Sequence, residues 1–83
     1  MTVQKFQEKD IKTLFAAGAV KSATTYYFGL DQGWHVWFYV SGHAEQVVYT
    51  QRGEVRVFKT LDAVERFISG VGLQHFTVSP QRS

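Results

Sequence analysis

Three histidines, His35, His43 and His75, are the first residues to test for chemistry, because imidazole ligates metals and titrates near neutral pH. Their spacing does not support a metal site. The chain has no cysteine and no H-x-x-x-H pair that a helix would bring to one face, and the three fall in strand-like or turn-like surroundings. Serine, histidine and aspartate all occur, but no nucleophile elbow or other ordered setting would activate a serine. Gly70-Val71-Gly72 follows a helical stretch, whereas a phosphate cradle of the Rossmann or Walker kind needs a strand before its glycines and a helix after them. The expectation is a protein that is not an enzyme, with no catalytic, metal or cofactor site.

Binding chemistry is better represented. In Trp34-His35-Val36-Trp37-Phe38-Tyr39-Val40, strand alternation sends Trp34, Val36, Phe38 and Val40 to one face and His35, Trp37 and Tyr39 to the other. A sheet covered on one side alternates apolar with polar residues, so this strand is either covered twice or carries an aromatic patch outside. In the preceding strand Tyr26 and Phe28 fall on one side and Tyr27 on the other. One use of such a patch is packing against a loop, the tail or a second subunit, with Tyr27, His35, Trp37 and Tyr39 as the candidate protein interface. Another is a platform for unpaired bases, built from Trp37, Tyr39 and Tyr27. Lys21, Arg52, Arg56 and Lys59 could meet near one sheet edge and contact phosphates there. The plainer reading of those charges is solvated strand ends, with Glu54 and Asp62 close by to neutralise them.

The elements that must position these residues follow from periodicity and punctuation. Phe6, Ile11, Leu14 and Phe15 recur at near-helical spacing with lysines between them, which predicts a helix from about residue 5 to 17, stopped by Gly18. Val20 to Phe28 and the WHVWFYV run are β-branched and aromatic, and Gly29 with Asp31-Gln32-Gly33 turns one into the other as a hairpin. Glu45 to Gln51 reads as a third strand, and Arg52-Gly53-Glu54 turns toward Val55 to Phe58, a fourth strand or a loop. Thr60 caps a second helix whose stripe is Leu61, Val64, Phe67, Ile68 and Val71, with Asp62 complementing its dipole. Gln74 to Val78 closes the domain as a last strand, and a frayed polar tail occupies 79–83.

The order α-β-β-β-(β)-α-β predicts an α+β domain: an antiparallel sheet of three to four strands plus a short C-terminal strand, with both helices on one face. At 83 residues, 45% of them hydrophobic and 19% charged, the chain has room for one globular domain, ordered from about 5 to 78, and no linker or repeat. A chain of this size hides only about 60% of the surface its unfolded form exposes, so self-association would add stability. The charged N-terminal dozen lacks the apolar region of a signal peptide, and no segment approaches the ~20 apolar residues that span a bilayer. The helices' polar faces mix both charges, which suits core packing better than a membrane surface. A cytoplasmic protein without a membrane role is expected. The net charge of +2 permits nucleic-acid contact without arguing for it.

Laid over these elements, the runs Ala16-Ala17-Gly18-Ala19-Val20-Lys21-Ser22-Ala23, Gly33-Trp34, Gln51-Arg52-Gly53, Arg56-Val57-Phe58-Lys59-Thr60-Leu61-Asp62-Ala63 and Gly72-Leu73, with Phe76 and Val78, form a familiar pattern. It resembles the small partition-associated proteins of the ParC type, carried on bacterial plasmids and integrated mobile elements. The likeness spans roughly residues 14 to 78 and rests on helix caps, turn glycines and core positions. It implies a non-enzymatic accessory of plasmid partition or maintenance, acting with a ParA-type ATPase or a ParB-type DNA-binding protein, and it carries no active-site motif. The strand WHVWFYV is unusually aromatic, which sets this chain's exposed surface apart. The α-β-β-β-α order also looks like a double-stranded-RNA-binding domain, but the second helix lacks that domain's lysine cluster at its start, so the likeness is architectural. The reading is therefore a small interaction protein, expected as a homodimer, with a nucleic-acid-binding module as the alternative.

Overall fold

The computed structural model describes residues 5–79, in the order α1 (Glu8–Ala16), β1 (Val20–Tyr27), β2 (Trp34–Val40), β3 (Glu45–Val47), α2 (Leu61–Val71) and β4 (Thr77–Ser79). Pro80 to Ser83, most of the expected polar tail, lie outside the described residues, and Ser79 belongs to a strand.

α1 begins later than its apolar spacing suggests because Gln7 is still extended, and the Asp10 carboxylate accepts the Gln7 backbone N–H at 2.8 Å. This closes the first turn and fixes where the chain enters the helix. Gly18, at φ 78°, ends it, while the Gly18 and Ala19 N–H groups return to Phe15 and Leu14 carbonyls at 2.9 Å. α2 starts where Thr60 accepts the Ala63 N–H at 3.1 Å and ends at Gly72, whose φ is 125°. Val64, Phe67, Ile68 and Val71 are buried as its stripe predicts, but Leu61, in the exposed first turn, stays 38% accessible.

β1 and β2 form an antiparallel hairpin in which Ala23 faces Phe38 and Thr25 faces Val36, with an irregularity between Val20 and Ser22. Gly33 is required at its tip: a Cβ there would lie 2.5 Å from the Phe58 carbonyl oxygen, because Phe58 and Trp34 exchange backbone hydrogen bonds of 2.8 and 2.9 Å. β3 is shorter than its residue types suggest. After Val48 donates to Val36, Tyr49 donates to the Phe6 carbonyl at 2.8 Å, so the chain leaves β2 for the segment ahead of α1. Val55 to Phe58 is not a strand. It is tied by two isolated bridges, Tyr49 to Val55 and Trp34 to Phe58, on either side of a stretch that crosses the end of the sheet.

The sheet order is β3-β2-β1-β4, antiparallel except for β4, which runs parallel to β1. Parallel pairing follows from the return through α2, since a helical crossover delivers the next strand in the same direction. β4 is Thr77–Ser79 rather than Gln74 to Val78, because Leu73 and Phe76 are taken up against the core instead. Both helices bury their stripes against Ala23, Val36, Phe38 and Val40 in a single cluster, so they share one face of the sheet. This is the α+β arrangement expected, with one parallel pair added. Among the described residues, no helix is long and apolar enough to cross a membrane.

Candidate interaction face

The face turned away from the helices is built by parity. His35, Trp37 and Tyr39 alternate with the buried Val36, Phe38 and Val40, and register brings Tyr26 opposite His35, Thr24 opposite Trp37 and Ser22 opposite Tyr39. On the next strand Val47 stands opposite Trp37 and Glu45 opposite Tyr39. The rings lock one another: Phe28 stacks on His35 at 4.2 Å, and Tyr26 meets Trp37 edge-on at 6.3 Å. The Tyr26 hydroxyl lies 3.4 Å from both carboxylate oxygens of Glu45. Val47 is only 6% exposed although it lies outside the helix-side cluster, so the aromatic layer has a small apolar floor of its own. Tyr39, at 53%, is the ring this face presents most openly.

Tyr27 does not belong to this face. It sits opposite Trp34 with ring centroids 4.9 Å apart, on the helix side, where it lines a cavity of about 370 Å³ with Leu30, Val57 and Lys59. The correction is one of register. Tyr26 and Phe28 fill the place given to Tyr27, because from Ser22 to the hairpin turn even-numbered β1 residues pair with odd-numbered β2 residues.

His35 is held with its imidazole pKa below the ordinary value, because burial disfavours the cation more than a hydrogen bond to the Gln32 backbone favours it. Its Nε2 is buried without a hydrogen-bond partner among the described residues. The ring therefore serves near neutral pH as an apolar plate under Phe28. His43 lies edge-on to Phe6 at 5.5 Å, and His75 is exposed ahead of β4. Among the described residues no group of three or more His, Cys, Asp or Glu could hold a metal ion.

The four cations expected to meet at one edge are dispersed. Lys21 is the second residue of β1 while Lys59 stands beside Tyr27 at the strand's far end, about 20 Å away at the usual rise per residue. Arg56 lies on the helix side, 2.9 Å from the Glu8 carboxylate and above the Phe58 and Phe67 rings at 5.1 and 4.9 Å. Arg52 is exposed in the turn between Thr50 and Glu54. They separate because residues 49–58 fold back over the end of the sheet rather than extending it as an edge strand. These cations and the Trp37–Tyr39 surface thus do not form one site.

That fold-back creates a groove absent from the sequence reading. It measures about 430 Å³ and is lined by Gln7, Glu8, Lys9, Lys12, Tyr49, Thr50, Gln51 and Arg56. Glu8 bridges Arg56 at 2.9 Å and Lys12 at 3.1 Å, and these partners, Arg56 foremost, hold its pKa below the ordinary carboxylate value. Lys5 donates to the Gly53 carbonyl at 3.0 Å and lies over the Tyr49 ring at 5.4 Å. Spacing along the chain shows Lys9 and Lys12 only as the polar side of a helix. Their relation to Arg56 depends on a contact across 48 residues.

No protein-family model, curated protein or solved structure matches this chain.

Proposed function

We propose that this protein is a non-enzymatic interaction module that pairs with a second copy of itself through the sheet face opposite its helices, and that it serves plasmid partition or maintenance. The observation that supports pairing is the position of Tyr39, 53% exposed, on a face whose other rings are Tyr26, Phe28, His35 and Trp37. Aromatic rings with polar tips suit a surface that is wet in the free protein and dry in a complex. A second copy fits because Ser22 and Glu45 flank Tyr39, so the rim is polar while the centre is aromatic, as in protein interfaces generally. The partition role comes from the resemblance to ParC-type proteins, and it makes a ParA-type ATPase or ParB-type DNA-binding protein the further partner.

Sedimentation velocity of the intact chain and of Tyr39→Glu tests the pairing. A dimer that the substitution converts to folded monomer supports it; a wild-type monomer across the accessible concentration range defeats it. Co-purification with a ParA- or ParB-type protein tests the partition role separately.

A further inference from the structure

Beyond the sheet face, the molecule concentrates its positive charge in one place. Lys9 and Lys12 stand on the α1 wall of the groove and Arg56 on the opposite wall, with Lys5 fixed over Tyr49 and Arg52 in the adjoining turn. Against these five cations the same region has three carboxylates, Glu8, Asp10 and Glu54, so the local excess equals the whole formal charge of +2. Asp10 is engaged by the Gln7 N–H and Glu8 by Arg56 and Lys12. Lys9 and Arg52 are exposed, with no ion-pair partner among the described residues.

We propose that this groove receives the phosphate backbone of double-stranded nucleic acid, and that the Glu8 carboxylate stands in it as an internal competitor for Arg56 and Lys12. Phosphates are met by Arg and Lys together with neutral donors, and Thr50, Gln51 and Tyr49 supply the neutral groups between the two charged walls. An acidic peptide or a lipid surface fits less well, because both need apolar contacts. The large exposed apolar side chains, Leu30, Tyr39, Val57, Leu61 and Val78, all lie outside this groove. An unpaired base fits less well too: the one aromatic ring in the groove, Tyr49, is covered by Lys5. The groove lies on the helix side of the sheet, so this inference does not depend on pairing through the other face.

Fluorescence anisotropy with a labelled random-sequence duplex and its single strand tests the proposal. Neutralising three to four phosphates should lower duplex affinity by about 40- to 150-fold between 50 and 200 mM salt. Glu8→Gln should tighten binding several-fold, and Lys9→Glu should weaken it by a similar factor. Glu65→Gln on α2 and Lys59→Glu at the distant cleft make the same charge changes elsewhere and should each have under half the effect. A thermal melt of each variant confirms folding, and if Glu8→Gln does not fold, the contrast between Lys9→Glu and Lys59→Glu decides. Undetectable duplex binding at 50 mM salt, tighter binding of the single strand, or equal effects at groove and control positions would each overturn the proposal.

Discussion

At the scale of single residues, two glycines of α2 and its cap make opposite demands. Gly72 combines φ 125° with a position where a Cβ would come within 2.4 Å of the Phe15 ring, so it joins the end of α2 to the flank of α1. Gly72→Ala should cost about 2–3 kcal/mol in urea unfolding, as backbone strain and overpacking add. Gly70, two residues earlier and with nothing within 4 Å of an added Cβ, has no such duty. Gly70→Ala should stabilise by about 0.5–1 kcal/mol through helix propensity and lost unfolded-state freedom. His35 gives a prediction with a sign. Its folded pKa lies below the unfolded value near 6.5, so the unfolded chain binds the proton more readily. Stability should be full above pH 6.5 and should fall as pH drops from there toward the folded pKa. Urea titrations of wild type and His35→Phe across pH 5 to 8 check this, because the variant should lack that slope.

Among the elements, what was legible depended on whether the signal was local. α2 is written in adjacent residues: a Thr60 cap and an apolar stripe, of which the structure uses the cap and buries Val64, Phe67, Ile68 and Val71. Thr60→Ala should accordingly lower stability by about 1 kcal/mol in the same assay, as loss of an N-cap does. The β1–β2 hairpin was legible for the same reason. β3 was legible in its place and its start at Glu45, but its early end and the path of residues 49–58 were not, since those residue types suit strands while their backbone N–H groups go to the carbonyls of Phe6, Val48 and Trp34. β4 was located near its place, while its parallel direction follows from the path of α2 across the sheet and leaves no mark in Thr77-Val78-Ser79 itself. The interface residues show the same division. Parity within β2 correctly grouped His35, Trp37 and Tyr39, but choosing Tyr26 over Tyr27 as their neighbour required the pairing register between strands.

The whole molecule presents two dissimilar surfaces, a ring-rich sheet face and a cationic groove on the helix side, built from a chain small enough that its core alone confers limited stability. The groove was invisible in sequence because Lys5, Lys9 and Lys12 come together with Arg52 and Arg56 only through the fold-back after β3. If the sheet face is the site of self-association, a dimer carries two such grooves on opposite outer sides, facing apart, so that one stiff duplex cannot engage both. Removing pairing by Tyr39→Glu should then leave anisotropy-measured affinity little changed for long and short duplexes alike.

Self-association through the outer sheet face is tested most directly by isotope-filtered nuclear Overhauser spectroscopy on a mixture of labelled and unlabelled chains. Intermolecular cross-peaks should arise from the Tyr39 and Trp37 rings and leave the α1 and α2 stripes silent. A sample that gives no intermolecular cross-peaks at millimolar concentration, or gives them from the helix side alone, would contradict the account.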